Sequence, residues 1–244
     1  MRILVLYDVH GNAEALDAVL ADPRAADPDA VVVGGDTVPG AFAAAALDRL
    51  EALEVPVHWV RGNGEREVAE AVGAPPPADP EDLVVVTAAR TAAALGDARA
   101  RALGQHPLTV TVDGVLFCHA TPRSDEGLLT RISPPQRWAD ALAGADAALV
   151  VAGHTHQQDD RAVGPTRFVN AGSVGLPYEG DGAARWLWIE DGVPSLRRTE
   201  YDAAGAGRRI LASGWPDEES TAAALIDPMA PEAITELFEG RAAG

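Results

Sequence analysis

Residues 3–7, ILVLY, form an unbroken apolar run that stops at once in Asp8, Val9, His10, Gly11 and Asn12. A run of that length, with Ile and Val in it, predicts a strand buried on both faces, as in parallel sheets covered by helices. Ligands of open α/β sheets bind beyond the carboxyl ends of such strands. A carboxylate and an imidazole delivered there are therefore placed for binding. If the chain stayed extended, their two-residue spacing would put both on one face. Taken alone, Asp-x-His-Gly-Asn reads equally well as a strand-ending turn with a helix N-cap.

The pattern recurs along the chain. Residues 13–22, AEALDAVLAD, carry a helical stripe of Ala15, Leu16, Val19 and Leu20, with Glu14 in the first turn. Residues 30–33 predict a second strand, ending in Gly34-Gly35-Asp36. Residues 41–53 predict a helix, and residues 55–60 a third strand ending in Arg61-Gly62-Asn63-Gly64-Glu65. Three βα units in a row imply parallel strands with right-handed crossovers. A helix is expected from Arg66 to Val72. The breaker GAPPPADPED follows, then one or two helices over 83–103.

The second half reads as richer in hairpins. Asp113-Gly114 joins runs 108–112 and 115–118, and Asp191-Gly192 joins runs 184–190 and 193–201. Asp-Gly between alternating runs is a strong hairpin signal. A short helix is expected over 134–142 and strands over 148–152 and 166–169. From Asp202 on the chain reads as helical, with breaks at 214–216 and near Pro228. Parallel units and hairpins together fit two packed mixed sheets with helices outside. No internal repeat or long linker appears, so a single domain spanning 1–244 is expected, with a core over 1–201 and a helical tail over 202–244.

Composition narrows the function. The net charge is -18, and all 19 basic residues are Arg. Such acidity argues against broad nucleic-acid binding or an anionic membrane surface. An anionic substrate would need a local attractor, such as bound cations. The one cysteine, Cys118, excludes an internal disulfide framework and fits a reducing compartment. The N-terminal run is too short for a signal peptide, and no stretch of about eighteen apolar residues exists to span a membrane. A cytoplasmic protein is expected. Homodimerisation through the acidic tail is one possibility, and packing of the tail on the sheets is another.

The polar strand ends collect into one set: Asp8, His10, Asp36, Asn63, His119, His154 and His156. Of six histidines, four follow an apolar strand. His58, mid-strand, and His106, in a loop, read as structural. Mixed nitrogen and oxygen donors without thiolate suit Mn, Fe or Zn better than calcium, and are too rich in imidazole for a simple magnesium site. Seven donors exceed the needs of a four-coordinate zinc site and suit two metals sharing a carboxylate.

These pieces resemble the calcineurin-like metallophosphoesterases. The resemblance runs from residue 1 to about 201 and rests on D-x-H-G-N at 8–12, G-D at 35–36, G-N at 62–63, the strand-ending His119, and G-H-x-H at 153–156. The segments TVDGVLFCHATPRSDE and NAGSVGLP further resemble a bacterial branch of diadenosine-tetraphosphatase-like and small phosphodiesterase enzymes. The resemblance implies an α/β fold, a four-layer αββα sandwich of two mixed β-sheets flanked by helices. It also implies two divalent metal ions (Mn, Fe or Zn). Asp8, His10 and His156 would hold the first, and Asn63, His119 and His154 the second. Asp36 would bridge them, and Asp36, His119 and Asn63 would carry catalysis.

Two cations roughly 3.5–4 Å apart can bind a phosphoryl oxygen and lower the pKa of water towards about 7, so that hydroxide attacks phosphorus at neutral pH. The expected substrate is a phosphate-containing small molecule. Arg66 and Arg123 are candidates to grip phosphate, with a solvated surface role as the alternative. Asn12 reads either as a phosphate contact or as a helix cap. Ser173 fits a turn role better than a site role. Residues 66–103 and 123–135 are expected to wall the pocket.

Many members of the resembling family carry G-N-H-D or G-N-H-E, whose His is proposed to protonate the leaving group. Here that position is Gly64. Loss of a general acid costs about 10²–10⁴-fold for poor leaving groups, which favours diesters, phosphoanhydrides or aryl phosphates. A serine hydrolase is disfavoured, because Ala171-Gly-Ser-Val-Gly lacks the first Gly of G-x-S-x-G. A P-loop enzyme is excluded by the absence of its motif. The main competing reading is a non-catalytic scaffold, as proposed for the retromer subunit of this fold.

Overall fold

The computed structural model describes residues 1–242. Its centre is strand β1 (Arg2–Leu6), and the alternation of the apolar run sets how that strand is used. Ile3, Val5 and Tyr7 point into the space between two sheets, while Leu4 and Leu6 point outward beneath helices. Both faces are therefore dry, as the unbroken run requires.

The first sheet has the order β10-β9-β1-β2-β3. Strands β2 (Ala30–Val33) and β3 (Val57–Trp59) continue parallel to β1. Helices α1 (Ala13–Leu20) and α2 (Ala43–Glu51) make the crossovers, and α3 (Asn63–Glu70) follows β3. Helices α4 (Leu83–Leu95) and α5 (Asp97–Leu103) pack with α2 and α3 through Leu47, Val68, Ala88 and Leu103. The Pro-rich breaker is an exposed loop that precedes α4.

The second sheet, ordered β4-β5-β6-β8-β7, is built from β4 (Thr109–Val112), β5 (Val115–Cys118), β6 (Leu149–Ala152), β7 (Asp159–Val163) and β8 (Thr166–Asn170). Helix α6 (Pro135–Leu142) covers its outer face through Trp138 and Leu142. Strands β9 (Ala184–Glu190) and β10 (Val193–Thr199) return to the first sheet as a hairpin beside β1. At both Asp-Gly turns the two central residues have positive φ: Asp113 and Gly114, then Asp191 and Gly192. That is the conformation of the hairpin turn this dipeptide favours. The result is the expected α/β architecture of two mixed sheets with helices outside.

Three details depart from the sequence reading. Strand β7 is unforeseen, because DDRAV has little apolar alternation and only one face of this edge strand is covered. Strand β3 covers only Val57–Trp59 of the expected 55–60, whereas the second half is hairpin-rich within mixed sheets as expected. Helix α3 begins at Asn63, three residues before the expected Arg66.

The tail forms α7 (Ala203–Leu211), α8 (Glu218–Ile226) and α9 (Pro231–Ala242). It packs onto the rest of the chain: Ala206, Ile210 and Leu225 cluster with Phe42 and Tyr201. Glu239 of α9 accepts hydrogen bonds from Thr130, Ser133 and Arg137. Trp138, Trp186, Trp188 and Trp215 are all buried, and His106 stacks on Trp59 at 5.2 Å. No helix among the described residues is long and apolar enough to cross a membrane.

Candidate metal centre

Asp8 follows β1, Asp36 follows β2, Asn63 opens α3 after β3, His119 follows β5, and His154 and His156 follow β6. Every one of these strands has a parallel neighbour, so their carboxyl ends share one edge of the sandwich. The chain does not leave these strands extended. Asp8, His10, Asp36, His154 and His156 all have positive φ, between 45° and 68°. Left-handed backbone costs an ordinary residue roughly 1–2 kcal/mol. Strain of this kind clusters where function fixes a conformation. The expectation that an extended backbone sets Asp8 beside His10 is thus corrected, and His154 and His156 are likewise not on an extended strand. Tight left-handed turns aim these side chains, not strand alternation.

The side chains converge in two groups. Asp8, His10 and His156 form one, and Asp36, His119 and His154 form the other; within each, one donor atom per residue lies within 4.8 Å of the others. His10 Nε2 and His156 Nε2 are 3.1 Å apart, and His119 Nε2 and His154 Nδ1 are 3.2 Å apart. Asp36 reaches both groups, with Oδ1 3.5 Å from His119 Nε2 and Oδ2 3.7 Å from His10 Nε2. Asp8 Oδ1 also lies between them, 3.5 Å from His156 Nε2 and 3.9 Å from His119 Nε2.

Backing groups set which atom of each ring faces inward. His119 Nδ1 lies 3.0 Å from Gly34 O, and His156 Nδ1 lies 2.7 Å from Leu176 O. A neutral imidazole that donates from Nδ1 presents its Nε2 lone pair to the centre. Asp8 Oδ2 accepts from His154 N, and Ser173 Oγ donates to Asp8 O and accepts from Leu176 N. Asp36 Oδ1 accepts from Gly64 N at 2.8 Å. Two glycines make these approaches possible. A Cβ on Gly62 would lie 2.2 Å from Asp36 Oδ1, and one on Gly153 would lie 2.4 Å from Asp8 Oδ2.

The electrostatics call for positive charge. Burial pushes the Asp8 and Asp36 carboxyls up, but facing imidazoles win: His156 chiefly lowers Asp8, and His119 chiefly lowers Asp36. Burial pushes His119 down, yet Asp36 and Asp8 carry it up to about 10. His154 goes the other way, to about 4, through burial and the charge of His119. Two buried carboxylates thus hold one imidazole protonated when nothing else supplies a cation.

Residues 1–189 match the calcineurin-like phosphoesterase superfamily domain. The chain belongs to that superfamily. Among solved structures it is similar to a metallophosphoesterase from Sphaerobacter thermophilus, with 23% identity over 92% of this chain and 98% of that one, at a TM-score of 0.72. It is also similar to a hypothetical protein from Pyrococcus horikoshii, with 17% identity over 94% of this chain and 99% of that one, at a TM-score of 0.79. At these identities the likeness concerns the fold. No curated protein sequence matches the chain.

Calcineurin-like phosphoesterases bind divalent metals, and the residues here fit such ions. Among the described residues, Asp8 Oδ1 and Asn63 Oδ1 are buried oxygens without a hydrogen-bond partner. Unpartnered buried acceptors are costly unless a ligand satisfies them. Asn63 is set from behind, its Nδ2 donating to Glu67 Oε1 at 3.3 Å. Burial pushes the Glu67 carboxyl up to about 7.

The other sequence candidates are engaged elsewhere. Asn12 Oδ1 caps α1 by accepting from Ala15 N, and its Nδ2 donates to Gly175 O and the Tyr201 hydroxyl. The Arg66 guanidinium is surrounded by the carboxylates of Asp125, Glu126, Glu67 and Glu70. Arg123 donates to the Asp140 carbonyl.

Gly64 has a steric explanation. A Cβ there would lie 2.0 Å from Val38 O and 2.8 Å from Pro39 Cδ, so the Val38–Pro39 segment occupies the space a side chain would need. Glu65 has a full set of partners. Its carboxylate accepts from the backbone N–H of Asp36, Thr37, Val38 and Gly62. The capping-box spacing from Gly62 to Glu65 was the available signal. Tyr178 also escaped notice; its ring stacks on His156 at 4.7 Å and 20°.

Proposed function

We propose that the chain is a dinuclear metal-dependent hydrolase of phosphodiesters, phosphoanhydrides or activated phosphomonoesters. The observation that carries this reading is the pair of adjacent three-residue groups spanned by Asp36, with an orphaned buried oxygen on Asp8 within the first group and another on Asn63 at the end of a neighbouring strand. Asp8, His10 and His156 would hold one divalent cation, and Asn63, His119 and His154 the other, with Asp36 shared. Such a pair supplies Lewis-acid charge to a phosphoryl group and makes water acidic enough to act as a nucleophile near neutral pH.

The protein's own contribution is preorganisation. Asp36 is fixed by Gly64 N–H, and its backbone by Glu65, so its two oxygens stay directed at both groups. Gly34 O and Leu176 O retain the protons on His119 Nδ1 and His156 Nδ1, leaving both Nε2 atoms as donors of electron pairs. Fixed groups of this kind need no rearrangement as charge develops on the phosphoryl oxygens. Position 64 supplies no acid, so leaving groups that depart without a proton are favoured. Mn, Fe and Zn are the expected metals, a phosphate-containing small molecule the substrate, and a reducing compartment the setting for the buried Cys118 thiol.

The test compares bis-p-nitrophenyl phosphate with p-nitrophenyl phosphate, each with Mn, Fe, Zn, Mg or chelator, in the native protein and in Asp36→Asn. Metal-dependent turnover that collapses in the variant supports the reading. Turnover of neither substrate above the variant's background refutes it for such esters and moves the balance to a scaffold role.

A further inference from the structure

A cavity of about 310 Å³ lies between helices α8 and α9 and the Leu176–Tyr178 segment, which contacts His156. That volume is at the small end for ligand pockets. The lining includes Leu176, Tyr178, Asp217, Met229, Phe238 and Arg241. Two of these residues tie it to the centre. Leu176 gives its carbonyl to His156 Nδ1, and Tyr178 stacks on the His156 ring. Tyr178 and Phe238 have ring centroids 6.0 Å apart, tilted by 51°, and the Arg241 guanidinium lies 5.9 Å from the Phe238 ring centroid.

Neither helix belongs to the 1–189 segment that defines the superfamily domain. Leu225 of α8 packs on Ala206 and Ile210 of α7, and α9 is held by specific hydrogen bonds. Gln157, next to His156, donates to Tyr178 O and Pro231 O and accepts from Thr235 of α9. Glu239 is fixed by Thr130, Ser133 and Arg137. The tail thus places apolar and aromatic surface one ring away from a proposed metal ligand. Met229 and Leu237, both in the lining, remain 57% and 48% exposed. Exposed large apolar groups gathered at a cavity suit a ligand with an apolar body.

We propose that this cavity is the specificity pocket of the enzyme and receives an aromatic ring esterified to the phosphoryl group. The proposal rests on the phosphoesterase reading above and names the substrate class it implies, an aryl or heteroaryl phosphoester. Tyr178 and Phe238 would present one face and one edge to that ring, an arrangement aromatic groups favour. Arg241 would stand near the mouth.

The test uses phenylphosphonate, which resists hydrolysis, with methylphosphonate as control and protein loaded with diamagnetic Zn. Saturation-transfer NMR reads ring contact directly and does not depend on turnover. The expected result is strong saturation of the phenyl protons in the native protein. It should be lost in Ala224→Trp, which fills the cavity from α8, and reduced in Phe238→Ala. A thermal melt of each variant checks folding, and the two act through different helices. In parallel, kcat/KM is measured for the p-nitrophenyl and trifluoroethyl esters of methyl phosphate, of which only the first carries a ring. Both variants should lower the first relative to the second by about tenfold or more compared with the native protein, the discrimination usual for an apolar pocket.

Phenyl saturation that is absent in the native protein, or equal in all three, overturns the pocket even if both esters are hydrolysed. Ring contact as expected without turnover of either ester keeps the pocket and refutes hydrolysis of such esters.

Discussion

The Glu65 carboxylate ties together two loops of the centre, 36–38 and the one at Gly62, and its removal should be costly. Glu65 is 2% exposed, and its two oxygens accept from four backbone N–H groups. Asp36 N, Thr37 N and Gly62 N are each 2.8 Å away, and Val38 N is 3.3 Å away. Burial and the Asp36 charge push this carboxyl up to about 7, and the N–H donors oppose them. A hydrogen bond to a charged group contributes about 1.5–3 kcal/mol, and a stranded buried donor costs about 1–3 kcal/mol. Water entering the space of the lost side chain would satisfy part of the set, so the four do not add in full. Glu65→Ala should therefore cost on the order of 4 kcal/mol, a large part of the usual 5–15 kcal/mol. That corresponds to a fall of roughly 10 °C in melting temperature. Glu65→Gln keeps the shape and one acceptor oxygen but turns an NH₂ on the other pair of donors, so its loss should be smaller. Urea unfolding of chelator-treated protein measures this without metal linkage. If Glu65→Ala unfolds within about 1 kcal/mol of the native protein, the carboxylate does not hold these loops as argued.

Further expectations follow from single contacts. Gly64→Ala should destabilise by about 1–3 kcal/mol through overpacking against Val38 O; Gly64→His should also melt lower and gain no alkyl monoesterase activity, and a gain would show that the loop yields. Glu67→Ala should weaken the second equivalent of Mn by about ten- to a hundredfold, as loss of a ligand-orienting partner usually does, read by calorimetric titration; unchanged affinity would mean that Asn63 is oriented otherwise. Arg24 and the Thr199 hydroxyl hold the Asp22 carboxyl far below the usual carboxylate range. Such a group stabilises the fold above its unfolded pKa, and that stability is lost as pH falls towards the folded value. Asp22→Asn should thus cost about 1–3 kcal/mol at pH 7, and the difference should shrink below about pH 4; a difference that grows in acid would contradict the assignment.

The contrast between Asp8 and Glu65 shows what a sequence can convey about such a centre. Asp8, Asp36 and the four site histidines stand out because their chemistry is unusual where they occur: polar, titratable groups ending runs that should be wholly apolar. Strand burial is legible from the same runs, and Ile3, Val5 and Tyr7 do alternate with Leu4 and Leu6 across two cores. Strand β7 was illegible because an edge strand with one covered face needs little apolar pattern.

The backbone at the centre was illegible for a different reason. Nothing in Asp-x-His or His-Thr-His announces left-handed φ, since Asp and His tolerate that region without demanding it. Glu65, Glu67 and Tyr178 escaped for a third reason: each acts only through a partner that the fold brings near. Glu65 as a lone carboxylate in a helix's first turn is unexceptional; facing Asp36, Thr37, Val38 and Gly62 it becomes the brace of the site. Donors of charge can therefore be read from residue type and position. The groups that aim those donors are defined by tertiary neighbours, and it is these groups that determine how rigidly the candidate ligands are held.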